Sequence, residues 1–108
     1  MTGRVNISSG SPWEARVGYS RAVRVGNHIE IAGTTATKEG KSVAIDDAYA
    51  QTICILEIIQ DALVKAGGTL KDVVRTRIFV TDMAKWEEIG QPTANFLERF
   101  GQSRRWWR

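Results

Sequence analysis

The residues best suited to chemistry lie at the end of one block, Gly18 to Thr37, GYSRAVRVGNHIEIAGTTAT. Gly33, Thr34 and Thr35 place a bare backbone beside two hydroxyls, a combination that lets a small polar ligand approach the main chain closely. Other chemistry-bearing residues are sparse. His28 is the only histidine and opens a strand with no cysteine or second histidine nearby, so it starts no metal site and reads as an exposed strand residue. Cys54, the single cysteine, falls inside an apolar helix and reads as a structural thiol. Asp46-Asp47 and Glu87-Glu88 are paired carboxylates at helix starts, where capping and the helix dipole account for them. No phosphate-binding glycine loop, nucleophile elbow or metal-ligand spacing occurs, and no catalytic residue is singled out.

The elements that must position the glycine turn are legible around it. Arg21–Val25 and His28–Ala32 alternate apolar and polar residues, the period of half-buried strands, and Gly26-Asn27 is a two-residue hairpin connection. On this reading Val23, Val25, Ile29 and Ile31 face a core together. Arg4–Ile7 is a short strand, followed by a loop over Ser8–Glu14, and a second polar loop surrounds Lys38–Lys41. A helix is predicted from about Asp47 to Ala66, capped by Asp46 or Asp47 and stopped by Gly67-Gly68. Tyr49, Ile53, Leu56, Ile59 and Leu63 form its apolar stripe, widened by Ile55, Ile58 and Ala62. Asp72–Asp82 alternates as a strand, and its place after a helix predicts a parallel crossover. Its two arginines, Arg75 and Arg77, read as a solvated charge ladder. Asp82 can cap a second helix from about Met83 to Phe100, with a kink or restart at Pro92.

A chain of 108 residues makes one domain. No run of about 20 apolar residues spans a bilayer, and no signal-peptide core follows Met1. The pI is about 9.4, but the formal charge of +3 is carried by Arg104, Arg105 and Arg108, so residues 1–102 are neutral. That argues against a nucleic-acid-binding face on the domain. The division is therefore a domain over 1–102 and an atypical basic, tryptophan-rich tail over 103–108.

The runs SSGSPWEARVGYSRAVRVGNHIEIAGTTAT, DDAYAQT and VVRTRIFVTDMAKWEEIG resemble the RidA/YjgF family of reactive-intermediate imine/enamine deaminases, across about Arg4 to Gln102. The resemblance implies an α+β, chorismate-mutase-like fold: a mixed sheet with two helices on one face. It also implies a homotrimer with a small-molecule cleft at each subunit interface, while the single thiol and the missing signal-peptide core point to a cytoplasmic protein. In the archetypal branch, water attacks the C=N carbon of a 2-imino acid formed from its enamine, giving a 2-keto acid and ammonia without a metal or organic cofactor. Gly33 matches the family glycine whose backbone lines the cleft, Tyr19 the aromatic residue that shapes the ligand site, and Thr34 adds a backbone or hydroxyl contact. A bland account stands beside each: Gly33 also suits a strand-ending turn, and Tyr19 a packing position where the strand begins.

Two departures matter. Gly90 stands where the archetypal branch has a cleft asparagine. The resemblance also implies two further strands, carrying a carboxylate-binding arginine and a water-orienting glutamate, whereas this chain continues from Gln102 into SRRWWR. That ending reads as a truncation or frameshift replacing those strands, or else as a tail that stacks on nucleic-acid bases or an anionic membrane surface. The expected function is hydrolytic deamination of reactive 2-imino or enamino acids. The alternative is a catalytically impaired member that binds a small ligand or packs as a trimer subunit. Nucleic-acid binding or RNA cleavage rests on the tail alone.

Overall fold

The computed structural model describes residues 3–80 and 82–99. The tail over 103–108 and its boundary at 102 lie outside the described residues. Three strands, β1 (Arg4–Ile7), β2 (Ala22–Val25) and β3 (His28–Ile31), form an antiparallel sheet in sequence order. A two-stranded hairpin, β4 (Thr37–Lys38) with β5 (Lys41–Ser42), stands where a loop was expected. Its turn residues Glu39 and Gly40 have φ of 55° and 81°, the left-handed pair that a tight hairpin needs.

The register of the main hairpin overturns one expected grouping. Gly26, with φ of 62°, and Asn27 connect Val25 directly to its partner His28, so Val23 pairs with Glu30 and Ala22 with Ile31. A two-residue connection therefore pairs odd-numbered with even-numbered positions. Directly paired side chains share a face, so Ile29 and Ile31 lie with Arg24 and Ala22, opposite Val23 and Val25. Val25 is accordingly left half exposed beside exposed His28, while Ile29 and Ile31 pack on the core of Leu63, Leu70 and Leu97.

Three helices complete the domain. The short α1 (Pro12–Val17) replaces part of the expected loop. Its start is written in Ser11-Pro12-Trp13-Glu14: Pro12 begins the first turn, and Ser11 and Glu14 form a reciprocal capping box. The long α2 (Ala48–Lys65) begins at Asp47, whose carboxylate accepts from the Ala50 amide at 2.9 Å. It ends as expected at Gly67, with φ of 85°; the Gly68 amide donates to the Leu63 carbonyl at 2.8 Å and the Gly67 amide to Val64 at 3.0 Å. Arg24 reinforces this stop from the sheet, donating to the Ala66 carbonyl at 2.8 Å, a cation at the negative end of the helix. α3 (Trp86–Arg99) follows a single tight turn over Met83–Lys85 capped by Asp82, and packs along α2. It neither ends nor restarts at Pro92, which is wholly buried, while the Thr93 hydroxyl donates to the Ile89 carbonyl at 2.7 Å.

The strand expected over Asp72–Asp82 is not formed. Leu70–Asp72 makes one tight turn, and residues 73–80 then run without ladder pairing to any described strand. Both faces of the expected alternation stand open, with Val74 84% and Phe79 85% exposed. The parallel pairing is correspondingly not seen, because an alternating run becomes a strand only where a neighbour takes up its hydrogen bonds. The α+β class with its two long helices is nonetheless the architecture observed.

Candidate functional site

The expected ligand residues meet around a side chain that the sequence reading left in the strand. Arg21 is 6% exposed and sits just before β2. Its Nη1 donates to the Gly33 carbonyl at 2.6 Å and to Thr34 Oγ1 at 3.1 Å. Its Nη2 donates to the Tyr19 hydroxyl at 3.3 Å, with the guanidinium 5.4 Å from the tyrosine ring, and its Nε reaches Ser9 Oγ at 3.4 Å. Tyr19, Gly33 and Thr34 thus share one partner, brought together because the hairpin folds residues 19–21 back beside residues 32–34; the Ala32 amide donates to the Arg21 carbonyl at 2.9 Å.

A second buried charge stands behind Ser9. Glu14, 7% exposed on α1, accepts from the Ser9 hydroxyl in a short contact, from the Ser9 amide at 3.1 Å and from the Ser11 amide at 3.4 Å. Burial pushes its carboxyl up, but hydrogen bonds from the Ser9 hydroxyl and amide, the Ser8 side chain and the Ser11 amide outweigh that and hold it below the ordinary glutamate value. Glu14 is therefore ionised near neutral pH. Glu14, Ser9 and Arg21 form one relay from α1 to the glycine turn.

Beside this relay opens a cleft of about 250 Å³ lined by Ser9, Arg21, Thr34, Thr35, Glu39 and Ile58 among others. A larger, shallower groove of about 420 Å³ runs between the β4–β5 hairpin and α2, past Lys38, Tyr49 and Cys54. Tyr49 is half exposed there rather than buried in the α2 stripe. Cys54 is buried, and His28 is an exposed strand residue paired with Glu30 at 2.6 Å. Among the described residues no three His, Cys, Asp or Glu side chains gather as a metal site, and no helix is long and apolar enough to cross a membrane.

Arg21, Ser9 and Glu14 were missed as site residues. A signal for the first was present: Arg21 continues the odd-numbered alternation of Val23 and Val25, where an arginine breaks the apolar pattern. For Glu14 it was the capping box, which brings a carboxylate to a helix start.

A small antiparallel sheet with α2 packed on it, and α3 packed along α2, defines an α+β domain in which a cleft opens beside the glycine turn. Residues 10–104 match the family model described as Endoribonuclease L-PSP. The crystal structure of Rv2704 from Mycobacterium tuberculosis, a member of the YjgF/YER057c/UK114 family, superposes with a TM-score of 0.79 at 47% identity, over 91% of this chain and 77% of that one. The chain is 37% identical over 80 residues to the 3-aminoacrylate deaminase RutC of Acinetobacter baylyi, covering 73% of this chain and 64% of RutC. An uncharacterised protein of Streptomyces coelicolor, SCO2049, is 33% identical over 85 residues, 79% of this chain and 63% of that protein. The chain belongs to the Endoribonuclease L-PSP family, the RidA/YjgF family of the resemblance. It spans less than two thirds of the length of these curated relatives.

Proposed function

We propose that this protein is a RidA-like deaminase that hydrolyses reactive 2-imino or enamino acids to 2-keto acids and ammonia, working as a cytoplasmic homotrimer with no metal or organic cofactor. The observation that carries the reading is the convergence of Tyr19, Gly33 and Thr34 on the buried Arg21 at the wall of a polar cleft. Likeness to a 3-aminoacrylate deaminase supports the same chemistry. In this reading the cleft binds the substrate through Thr34, which lines it, with Tyr19 and Gly33 tied to the same wall through Arg21. Fixed dipoles of this kind orient a planar imine for attack by water and need little reorganisation during reaction.

The test is hydrolysis of 2-iminopropionate by the purified protein, followed as pyruvate release against buffer alone. Accelerated release that falls at least tenfold in Thr34→Val supports the reading; a rate equal to buffer sinks it. Gly90, in place of the archetypal asparagine, favours a second reading as a small-ligand-binding or structural trimer subunit without turnover. Saturable ligand binding by a protein that leaves 2-iminopropionate untouched would select it.

A further inference from the structure

The hydrogen bonds around Arg21 leave the cleft with a defined polarity. A hydroxyl has one proton to give and two lone pairs to offer. Ser9 gives its proton to the Glu14 carboxylate, which as an ionised group can only accept. Thr34 gives its proton to the Ala32 carbonyl at 2.8 Å, which likewise can only accept. Arg21, which can only donate, then occupies one lone pair on each oxygen. Each hydroxyl is left with one lone pair and no proton to offer, and both residues line the cleft.

We propose that Glu14 and the Ala32 carbonyl, by taking the Ser9 and Thr34 protons, set the polarity of this cleft and hold both oxygens as acceptors, so that the site selects ligands carrying an N–H donor. The inference rests on the deaminase reading in one respect, that the natural ligand is an enamine or imine, whose nitrogen is such a donor. Glu14 is a positioning residue here: it acts through the Ser9 hydroxyl, while Arg21 fills one lone pair on each oxygen. A ligand that offered only acceptors would face two lone pairs with no proton between them, an unmet contact that costs affinity.

The test compares two probes that differ by one amino group, anthranilate and benzoate, by titration calorimetry on the full-length protein. Anthranilate carries a neutral amine beside its carboxylate. The expected result is tighter binding of anthranilate by about tenfold, the worth of one to two hydrogen bonds. Glu14→Gln, whose amide can donate to Ser9 and free the Ser9 proton for the ligand, is expected to reduce that preference at least threefold. Thr34→Val, which lacks one acceptor, is expected to reduce the preference by a similar factor, and decides the matter should Glu14→Gln fail to fold by circular dichroism. Equal binding of both probes by the wild type, binding of neither, or folded Glu14→Gln and Thr34→Val variants that keep the full preference would overturn the proposal. None of these readouts requires turnover, so a protein that prefers anthranilate but does not hydrolyse 2-iminopropionate loses the deaminase reading and keeps this one.

Discussion

Two stretches of this chain carry the same alternating pattern and have opposite fates. Ala22–Ile31 folds into a hairpin whose strands pair with one another, whose β2 also pairs with β1, and whose Ile29 and Ile31 pack on the core of Leu63, Leu70 and Leu97. Residues 73–80, equally alternating and richer in large apolar side chains, form no ladder among the described residues; Val73 packs on the core, but residues 74–79 are exposed. The difference lies in where each finds its partner. The hairpin's partner is two residues away, so closing the loop costs little conformational entropy. Residues 73–80 lie more than forty residues beyond β3, separated from it by the whole of α2. Alternation states which face could be buried; pairing decides whether a strand exists.

The largest effect expected from this comparison falls on the core beneath the hairpin. Leu63 is 6% exposed and packs with Leu70 and Leu97 against Ile29 and Ile31. Leu63→Ala should cost about 3 kcal/mol through lost transfer energy and a residual cavity. Urea unfolding measures it, and a cost under about 1 kcal/mol would show that the helices and hairpin do not share one core.

Next comes the joint between hairpin and helix. Gly67 has φ of 85°, and a methyl there would meet Arg24 Nη1 at 2.6 Å. Gly67→Ala therefore strains the backbone and displaces the arginine that caps α2, an expected loss of about 2 kcal/mol. Arg24→Met in the same background discriminates the two causes: if steric displacement matters, the second substitution should add less than it does in the wild type.

The relay behind the cleft should reveal itself in pH dependence. Hydrogen bonds to the charged form hold the Glu14 carboxyl below its ordinary value in the folded protein. Its contribution is thus fully present above the unfolded glutamate value and is lost as pH falls through the folded one. Glu14→Gln should lower stability by about 1 kcal/mol near neutrality and flatten the acid limb of the stability curve. Parallel curves for the two proteins through that limb would mean the carboxylate is not favoured by folding.

How much of this was legible in the sequence depended on whether the deciding interaction was local. Asp47, Asp82 and Gly67 announced the helix ends because a cap is satisfied within a turn. Gly33 and Thr34 stood out by residue type and Tyr19 through family likeness, yet Arg21, their common partner, looked like another strand residue. Its burial depends on a contact across the hairpin, which spacing alone does not display. The two faces of that hairpin were within reach: a two-residue turn forces odd positions opposite even ones, so Val23 and Val25 could not share a face with Ile29 and Ile31. The strand over 73–80 was beyond it, since alternation says nothing about whether a partner arrives.

The smallest expected effect tests the other half of the comparison. Phe79 is 85% exposed, and substitutions on an exposed, unpaired segment usually move stability by no more than about 0.5 kcal/mol. Phe79→Ser should therefore leave the unfolding midpoint almost unchanged, and the amides of residues 73–80 should exchange with solvent well before those of β2 and β3. The two measurements must agree, because one reads side-chain burial and the other backbone pairing. A loss above about 1 kcal/mol together with slow exchange would mean that the segment is paired and covered in the assembled protein. Its alternation would then report a real strand whose partner comes from beyond the described chain, and the contrast with the hairpin would be one of timing and assembly rather than of structure.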